Sequence, residues 1–469
     1  MSFELPAVGT GLFTESGVPY IGSKDASNFI TVAASQWFKN ASNLWVPVSA
    51  TNPLPNTLAG SSIPDSQAVP MTQSQKDIVA RAVDAVVDTI GAENIKLFLP
   101  MWETSGTKAY DLLRRDLTFS YVGPTLGQSG VFGSCPLFDG SNDYVIQDPV
   151  TEASAGASDY NLTSGTGKAA TRMAAIATNP GFVRLKLKRT GTLSSATVRV
   201  VIYSESGAFV PDAAVSNGAS DSLACSIIDT TYGFYGFAFP TPSDSQKDRK
   251  YFIVLEYVNA TGVDASNYIS WQYETGANTY GEKRATYDGS AWTGVVSENH
   301  VFGLWSNDLA FGDDYSIIAL AKNTSTNPLI TKPVIRLTGG SAAVAGLNIG
   351  AYTYCFGNDG TSRLAEYYHW STSFDAYGMT FTKAASTAKI KGYHNGAYVA
   401  NENGTGATAN LASAHPVSIG GKMETNGAFT TYWQGLIGPV IIAKNALSDA
   451  NMAKVSHNLL ALRKYGMTA

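Results

Sequence analysis

Gly435-Leu-Ile-Gly-Pro-Val-Ile-Ile-Ala-Lys-Asn-Ala-Leu-Ser-Asp-Ala-Asn-Met452 is the stretch on which the reading of this 469-residue chain turns. Val440, Ile441 and Ile442 form a short unbroken apolar run, the pattern of a strand covered on both faces. Ser448, with Asn451 three residues on, precedes Met452, Val455, Leu459 and Leu462 at helical spacing, so a helix is expected to start there. Arg463 and Lys464 suit its C-terminus. A strand buried on both faces near the end of the chain needs neighbours, and these must lie upstream.

Ala388-Lys-Ile-Lys-Gly-Tyr-His-Asn-Gly-Ala-Tyr-Val-Ala400 reads as a hairpin with Asn395-Gly396 as its two-residue turn. Val417-Ser-Ile-Gly-Gly421 and Asp314-Tyr-Ser-Ile-Ile-Ala-Leu-Ala321 read as strands, and more are expected over 333–338, 347–357, 363–370 and 377–383. Further back lie Trp102-Glu103 with Gly106 and Asp111, then Phe138-Asp-Gly-Ser-Asn-Asp-Tyr-Val145. There, Phe138, Tyr144 and Ile146 are expected to point inward while Asp139-Gly140-Ser141-Asn142 turns the chain.

Taken in order, these segments resemble the laminin-G-like members of the concanavalin A-like lectin family. In that family a Trp/Tyr-Glu strand, a Phe-Asp-Gly-x-x-Asp-Tyr-Val turn, a Tyr-x-Asn-Gly-x-x-Val hairpin and a closing Ala-Leu-Ser-Asp turn follow one another. The resemblance covers roughly residues 95–150 and 308–465. It implies a β-sandwich with a lectin-like role. Many family members hold calcium, and Asp139, Asn142 and Asp143 would be its hard oxygen ligands here.

These two segments are separated by a stretch with its own strand rhythm. Phe182–Lys188, Ala196–Tyr203 and a portion of Lys250–Tyr257 alternate at period two between Gly-, Asn- and Ser-rich turns. About seven or eight strands are expected, enough for a second sandwich of its own. It looks like the small jelly-roll modules that resemble carbohydrate-binding modules.

Before both lies Thr72 to Gly91, where Ile78, Val79, Ala82, Val83, Val86, Val87 and Ile90 share one helical face. Thr72 and Gln75 form a capping-box pattern, and Gly91 suits the position past the end. The helix either covers one end of a sandwich or packs against copies of itself. Residues 1–71 have no sustained periodicity. Pro47, Pro53, Pro55, Pro64 and Pro70 punctuate them, and Trp37, Phe38 and Trp45 are more aromatic than a disordered leader usually is.

The expected fold is therefore all-β: a laminin-G-like β-sandwich with an inserted jelly-roll β-sandwich, plus an N-terminal arm and helix. The divisions are an N-terminal docking arm (1–71), an amphipathic helix linker (72–94), the opening strands of the laminin-G-like sandwich (95–150), the insertion (151–307), and the remaining strands of that sandwich with the C-terminal helix (308–469).

Composition narrows the function. A net charge of −5 without any Lys/Arg run argues against nucleic acid. No span is apolar enough to cross a bilayer, and Met1-Ser-Phe-Glu-Leu-Pro6 is not followed by the basic-then-apolar pattern of a secretory signal. Cys135, Cys225 and Cys355 fit no zinc or redox spacing and read as small buried apolar residues. Synthesis in a host's reducing cytoplasm is the expectation.

No catalytic set is legible. Glycosidases of this architecture place carboxylates at alternate strand positions, and no Glu-x-Asp-x-x-Glu run occurs. The histidines, His300, His369, His394, His415 and His457, have no metal spacing. Ser164-Gly-Thr-Gly-Lys168 lacks the first glycine of a phosphate loop, so a polar turn is expected.

Saccharide binding needs aromatic faces beside hydroxyl-bonding groups. The candidates are Trp271, Tyr280, Tyr287 and Trp292 in the insertion, with Tyr273, Asn278 and Asp288 near them in sequence. In the lectin-like sandwich they are Tyr368 and Trp370, beside Tyr367, and then Tyr432 and Trp433. The reading is a non-enzymatic virion protein of a bacterial virus, a capsid decoration or tail appendage, with no required cofactor. It would attach to other virion proteins through its arm, form a homo-oligomer and display sandwiches that bind surface glycans. The alternatives are a polysaccharide depolymerase and a bacterial surface adhesin.

Overall fold

The structure, a computed structural model, describes residues 73–461 except 114–116, 154–155, 174–178, 207, 240–249, 276–282, 307–313, 326–331, 340–341, 350–351, 359–361, 369–370, 385–386, 406–415 and 424–428. It also describes the backbone of six short strands between residues 12 and 47. These pair as Leu12–Phe13 with Pro19–Tyr20, Gly22–Lys24 with Ile30–Val32, and Trp37–Lys39 with Trp45–Pro47. They belong to a compact unit of their own, Met1–Asp65. The proline-rich stretch after residue 47, and Thr72, lie outside the described residues.

Among the described residues the second unit is all-β with two α-helices. Its closing strand, Gln434–Ala443, sits mid-sheet, as its apolar run requires. On one side it pairs with Tyr315–Asn323, Ile318 opposite Ile441. On the other it pairs first with Gly133–Asp139 and then with Ile95–Leu99. Asp375–Ala384, Thr387–His394 and Ala397–Thr405 extend this sheet I on one side, Thr125–Gly130 on the other. Sheet II runs Ser362–Tyr368, Tyr352–Asn358, Ala342–Ile349, Lys332–Gly339, Val417–Ile419, Tyr144–Gln147, Thr118–Val122, Lys108–Tyr110. The strand expected over 347–357 is thus the adjoining ends of two strands, which pair with each other as a hairpin.

Leu97, Ile317, Met379 and Ile442 from sheet I meet Phe119, Val145, Ile335, Leu347 and Ile419 from sheet II in one core. Each such side chain, fully buried, contributes about 1.5–3 kcal/mol. Phe138 joins this core, but Tyr144 and Ile146 do not; Val145 points in instead. The chain changes sheets after the Asp139 turn, so the alternation restarts in the opposite phase.

Sheet I is buried on its outer face as well. α2 (Asp449–Ala461) lies there, its start capped by Ser448, whose Oγ accepts the Asn451 amide at 3.2 Å. Gly378 leaves room for it: a Cβ there would sit 2.8 Å from Met452 Sδ. Gly396, at φ 82° beside Asn395 at φ 50°, makes the expected primed hairpin turn and abuts the Ala453 backbone. α1 (Gln73–Ile90) packs against α2, burying Val79, Val83, Val86 and Ile90, and ends at Gly91, φ 85°.

Between Gln147 and Tyr315 the chain builds a second pair of sheets entirely from its own strands. Sheet III contains Thr151–Ala153, Phe302–Ser306, Pro180–Thr190, Tyr268–Thr275 and Ser158–Leu162; Gly233–Ala238 and Glu298–His300 pair at its sides. Sheet IV runs Pro211–Ala219, Thr197–Glu205, Tyr251–Asn259, Lys168–Met173, Lys283–Tyr287, Trp292–Val296. Leu185, Leu187, Ile269 and Trp271 face Val198, Val200, Ile253 and Leu255 in a separate core. Entry and exit lie side by side: the Val150 amide donates to Leu304 O at 2.7 Å, and Trp305 Nε1 donates to Gln147 O at 3.0 Å.

Candidate functional site: an aromatic face on sheet IV

Strands alternate, so each residue facing the core of sheet IV has a neighbour facing out. The cross-strand register places Arg199, Glu256, Lys168, Tyr287 and Trp292 in one outward row. Beside it run Val201, Val254, Ala170, Ala285 and Gly294, the small and apolar floor of this face. A third row carries Tyr203, Phe252 and Arg172.

Tyr287 and Trp292 lie opposite each other at the end of a hairpin, ring centroids 5.2 Å apart and tilted by 47°. Tyr203 meets Trp292 edge-on at 6.3 Å. All three are half-buried, and Tyr203 and Trp292 pack with Val210 on the buried floor of Ala170, Phe252, Val254 and Ala285. Asp288 fixes the hairpin turn: its Oδ1 accepts the amides of Ser290 at 2.8 Å and Ala291 at 3.0 Å. Those bonds hold its carboxyl down at about 2.

The charges are arranged around the rings. Lys168 Nζ lies 5.4 Å from the Tyr203 centroid and 5.9 Å from that of Tyr287, and donates to Tyr203 Oη at 3.0 Å. It pairs with Glu256 at 2.6 Å, and Glu256 also accepts from Arg199 at 2.7 Å. Burial works against the Lys168 charge, but Glu256 and Tyr203 outweigh it and hold its pKa above the usual lysine value. Ser164-Gly-Thr-Gly-Lys168 is thus a polar turn, Gly167 N donating to Ser164 O, that delivers Lys168 to this face.

A loop borders the site. Val210 comes within 3.2 Å of where a Cβ on Gly294 would be. Phe209, at φ 59° and 49% exposed, lies over the Arg172 guanidinium at 5.3 Å. A bulky residue in left-handed backbone is strained, the kind of conformation that clusters at functional sites.

Of the sequence-predicted aromatics, then, Tyr287 and Trp292 are brought together, and Tyr203, Lys168, Glu256 and Phe209 join them unforeseen. Trp271 is a correction. It is fully buried, stacked on His300 at 4.1 Å, with Nε1 donating to Val301 O at 2.8 Å, so neither ring face is open to a ligand. Trp433 is likewise fully buried in the first sandwich's core. Tyr432 is half-buried, its hydroxyl donating to Phe429 O at 2.6 Å. Tyr367 and Tyr368 lie on strand Ser362–Tyr368, whose backbone alone is described there. Tyr280, Asn278 and Trp370 lie outside the described residues.

One oxygen of each aspartate proposed for calcium accepts a backbone amide of the turn. Asp143 Oδ2 accepts the Asp139 amide at 2.7 Å, and Asp139 Oδ1 accepts that of Ser141 at 2.7 Å. Asn142 faces solvent. Among the described residues, no three His, Cys, Asp or Glu side chains are grouped to hold a metal ion. The three cysteines are buried thiols, with burial pushing Cys135 and Cys225 up to about 12. No helix among the described residues is long and apolar enough to cross a membrane.

No family model matches the chain, and no curated protein does. Among solved structures it is similar to the CBM40 of a Ruminococcus gnavus sialidase bound to alpha2,3 sialyllactose. That match has 15% identity and a TM-score of 0.28, covering 32% of this chain and 84% of the other. A pentraxin from Limulus polyphemus matches at 13% identity and TM-score 0.24, covering 31% and 70%. Domain 4 of a Geobacillus stearothermophilus GH43 arabinanase, in complex with arabinotriose, matches at 14% and 0.22, covering 40% and 81%. At such TM-scores these likenesses bear on neither ligand nor activity.

Proposed function

We propose that the chain is a non-enzymatic glycan-binding protein and that a saccharide docks on the outer face of sheet IV. The observation that carries this reading is the Tyr287–Trp292 pair, joined by Tyr203 above the apolar floor of Ala170, Phe252, Val254 and Ala285. Pyranose rings present apolar C–H faces that pack on aromatic rings, and the row of Lys168, Glu256 and Arg199 supplies donors and acceptors for hydroxyls. The non-catalytic reading is supported by the same row. Hydrolysis needs one carboxyl kept protonated and another free to act. Glu256 is instead clamped by Lys168 and Arg199, and Glu205 by Arg172 at 2.6 Å.

The finer reading keeps the chain as a laminin-G-like structural protein of a bacterial virus particle, held there by residues 1–71. What supports it is an N-terminal unit of paired short strands that carries Trp37, Phe38 and Trp45 in sequence.

A glycan array probed with the full chain tests the binding reading. Retention of defined saccharides, lost in Trp292→Ala, supports it; no retention, or sustained release of reducing ends from a bound saccharide, overturns it. Deleting residues 1–71 tests the finer one: loss of association with particles supports the arm, and unchanged association removes it.

A further inference from the structure

The outer face of sheet III carries a row of cations of its own. On strand Pro180–Thr190, Val183, Leu185 and Leu187 enter the core, so Phe182, Arg184, Lys186 and Lys188 point outward. Phe182 is covered by Trp305 at the joint between the sandwiches. The three cations continue from there at steps of about 7 Å.

Aromatic rings from the neighbouring strand interleave with them. Arg184 lies 4.2 Å from the Phe234 centroid and Lys186 5.8 Å from the same ring. Lys188 lies 4.6 Å from the centroid of Tyr232. Lys186, Lys188, Phe234 and Tyr232 are all half-buried, with some of each side chain open to solvent. Lys188 is paired with Asp159, while among the described residues no carboxylate is paired with Lys186. On sheet IV, Lys168 and Arg199 share Glu256, and Arg172 pairs with Glu205. Glu152 lies across Gly303 from Arg184, so among the described residues Lys186 is the ladder cation without a carboxylate beside it.

We infer that this ladder is a second binding surface, for a linear polysaccharide bearing carboxylates. Charge complementarity argues for the acid: Lys186 and Lys188 offer charge-assisted bonds to carboxylates spaced along a chain. Phe234 and Tyr232 offer the apolar contact that sugar rings need. Hydroxyl acceptors complete the face. Asp159 takes a bond from Tyr232 Oη at 2.5 Å, and Asn161 Oδ1 lies 2.8 Å from Ser270 Oγ across the same row. The phosphates of a nucleic acid would meet the same cations, and a thymidylate oligomer tests for that occupant.

This inference uses a different face from the one proposed above, and its test separates the two. Polygalacturonate, neutral dextran and a thymidylate oligomer are titrated into the full chain at low and high salt. The account expects polygalacturonate to bind, to weaken with salt, and to lose about tenfold or more in affinity in Lys186→Gln/Lys188→Gln. It expects wild-type affinity for it in Trp292→Ala and in Lys186→Arg/Lys188→Arg. Absent polygalacturonate binding, equal binding of dextran, an unaffected Lys186→Gln/Lys188→Gln variant of unchanged Tm, or tighter binding of the thymidylate oligomer each overturns the inference. None of these outcomes alters what Trp292→Ala does on the glycan array.

Discussion

The His300 imidazole lies flat on the Trp271 indole, ring centroids 4.1 Å apart and planes within 14°. Tyr160 and Tyr273 close around it edge-on at 5.9 and 6.0 Å. The Arg284 guanidinium stands over both tyrosines and is paired with Glu298. This box buries a titratable ring completely inside the inserted sandwich.

Acid should therefore destabilise the insertion through His300. Burial first, and Arg284 second, hold its pKa well below the ordinary 6.5. The unfolded chain binds that proton more readily, so stability is full above pH 6.5 and falls as pH drops below it. The slope from this one group is about 1.4 kcal/mol per pH unit. His300→Phe, which keeps a ring on Trp271, should show a shallower loss between about pH 6.5 and pH 5. Denaturant unfolding at several pH values reads it; parallel slopes in both proteins would contradict the assignment.

Glu103 should act in the opposite sense in the first sandwich. It is fully buried, and burial raises its carboxyl from 4.5 to about 7, a rise that the Tyr121 hydroxyl, donating at 2.6 Å, only partly offsets. The folded state holds the proton more tightly, so this contribution is full below pH 4.5 and is lost as pH rises through 7. The total is roughly 3 kcal/mol. Glu103→Gln, which can still accept from Tyr121, should be more stable than the parent at about pH 8, relative to their difference at about pH 5. Equal differences at both pH values would rule this out.

The joint between the sandwiches should depend on Trp305. Its ring packs on Phe182 at 5.6 Å and under Arg184 at 5.3 Å, and its indole N–H satisfies Gln147 O. Trp305→Ala should cost about 3–5 kcal/mol and expose the chain near Gln147 to protease. Trp305→Phe should cost less while losing the same hydrogen bond. A Trp305→Ala protein with wild-type stability and cleavage would show that the joint is held elsewhere.

Much of the fold could be read from local pattern because local physics set it. Unbroken apolarity marked Val440–Ile442 as a two-sided strand, and Asn395-Gly396 marked a hairpin because that pair readily takes the positive φ angles of a primed turn. The side chosen by each aromatic was less legible. Trp271 did carry a signal: Ile269, Trp271 and Tyr273 alternate with Ser270, Gln272 and Glu274, which puts Trp271 on the apolar face. Trp292-Thr-Gly-Val-Val296 has no such alternation, and its side is set by Tyr287 across the hairpin. Tyr203 follows Val198, Val200 and Ile202 in the opposite phase, but its role depends on Lys168 and Trp292, distant in sequence. Trp433 follows Thr431 at φ 53°, where the strand phase breaks.

The central claim is that the paired rings of Tyr287 and Trp292 hold a saccharide. Calorimetric titration of a glycan retained on the array, into the wild type, Tyr287→Ala/Trp292→Ala and Trp292→Phe, tests it most directly. The account predicts a loss of about 10- to 100-fold in affinity for the double variant, with most affinity kept by Trp292→Phe and the Tm of the latter unchanged. Wild-type affinity in the double variant would contradict it.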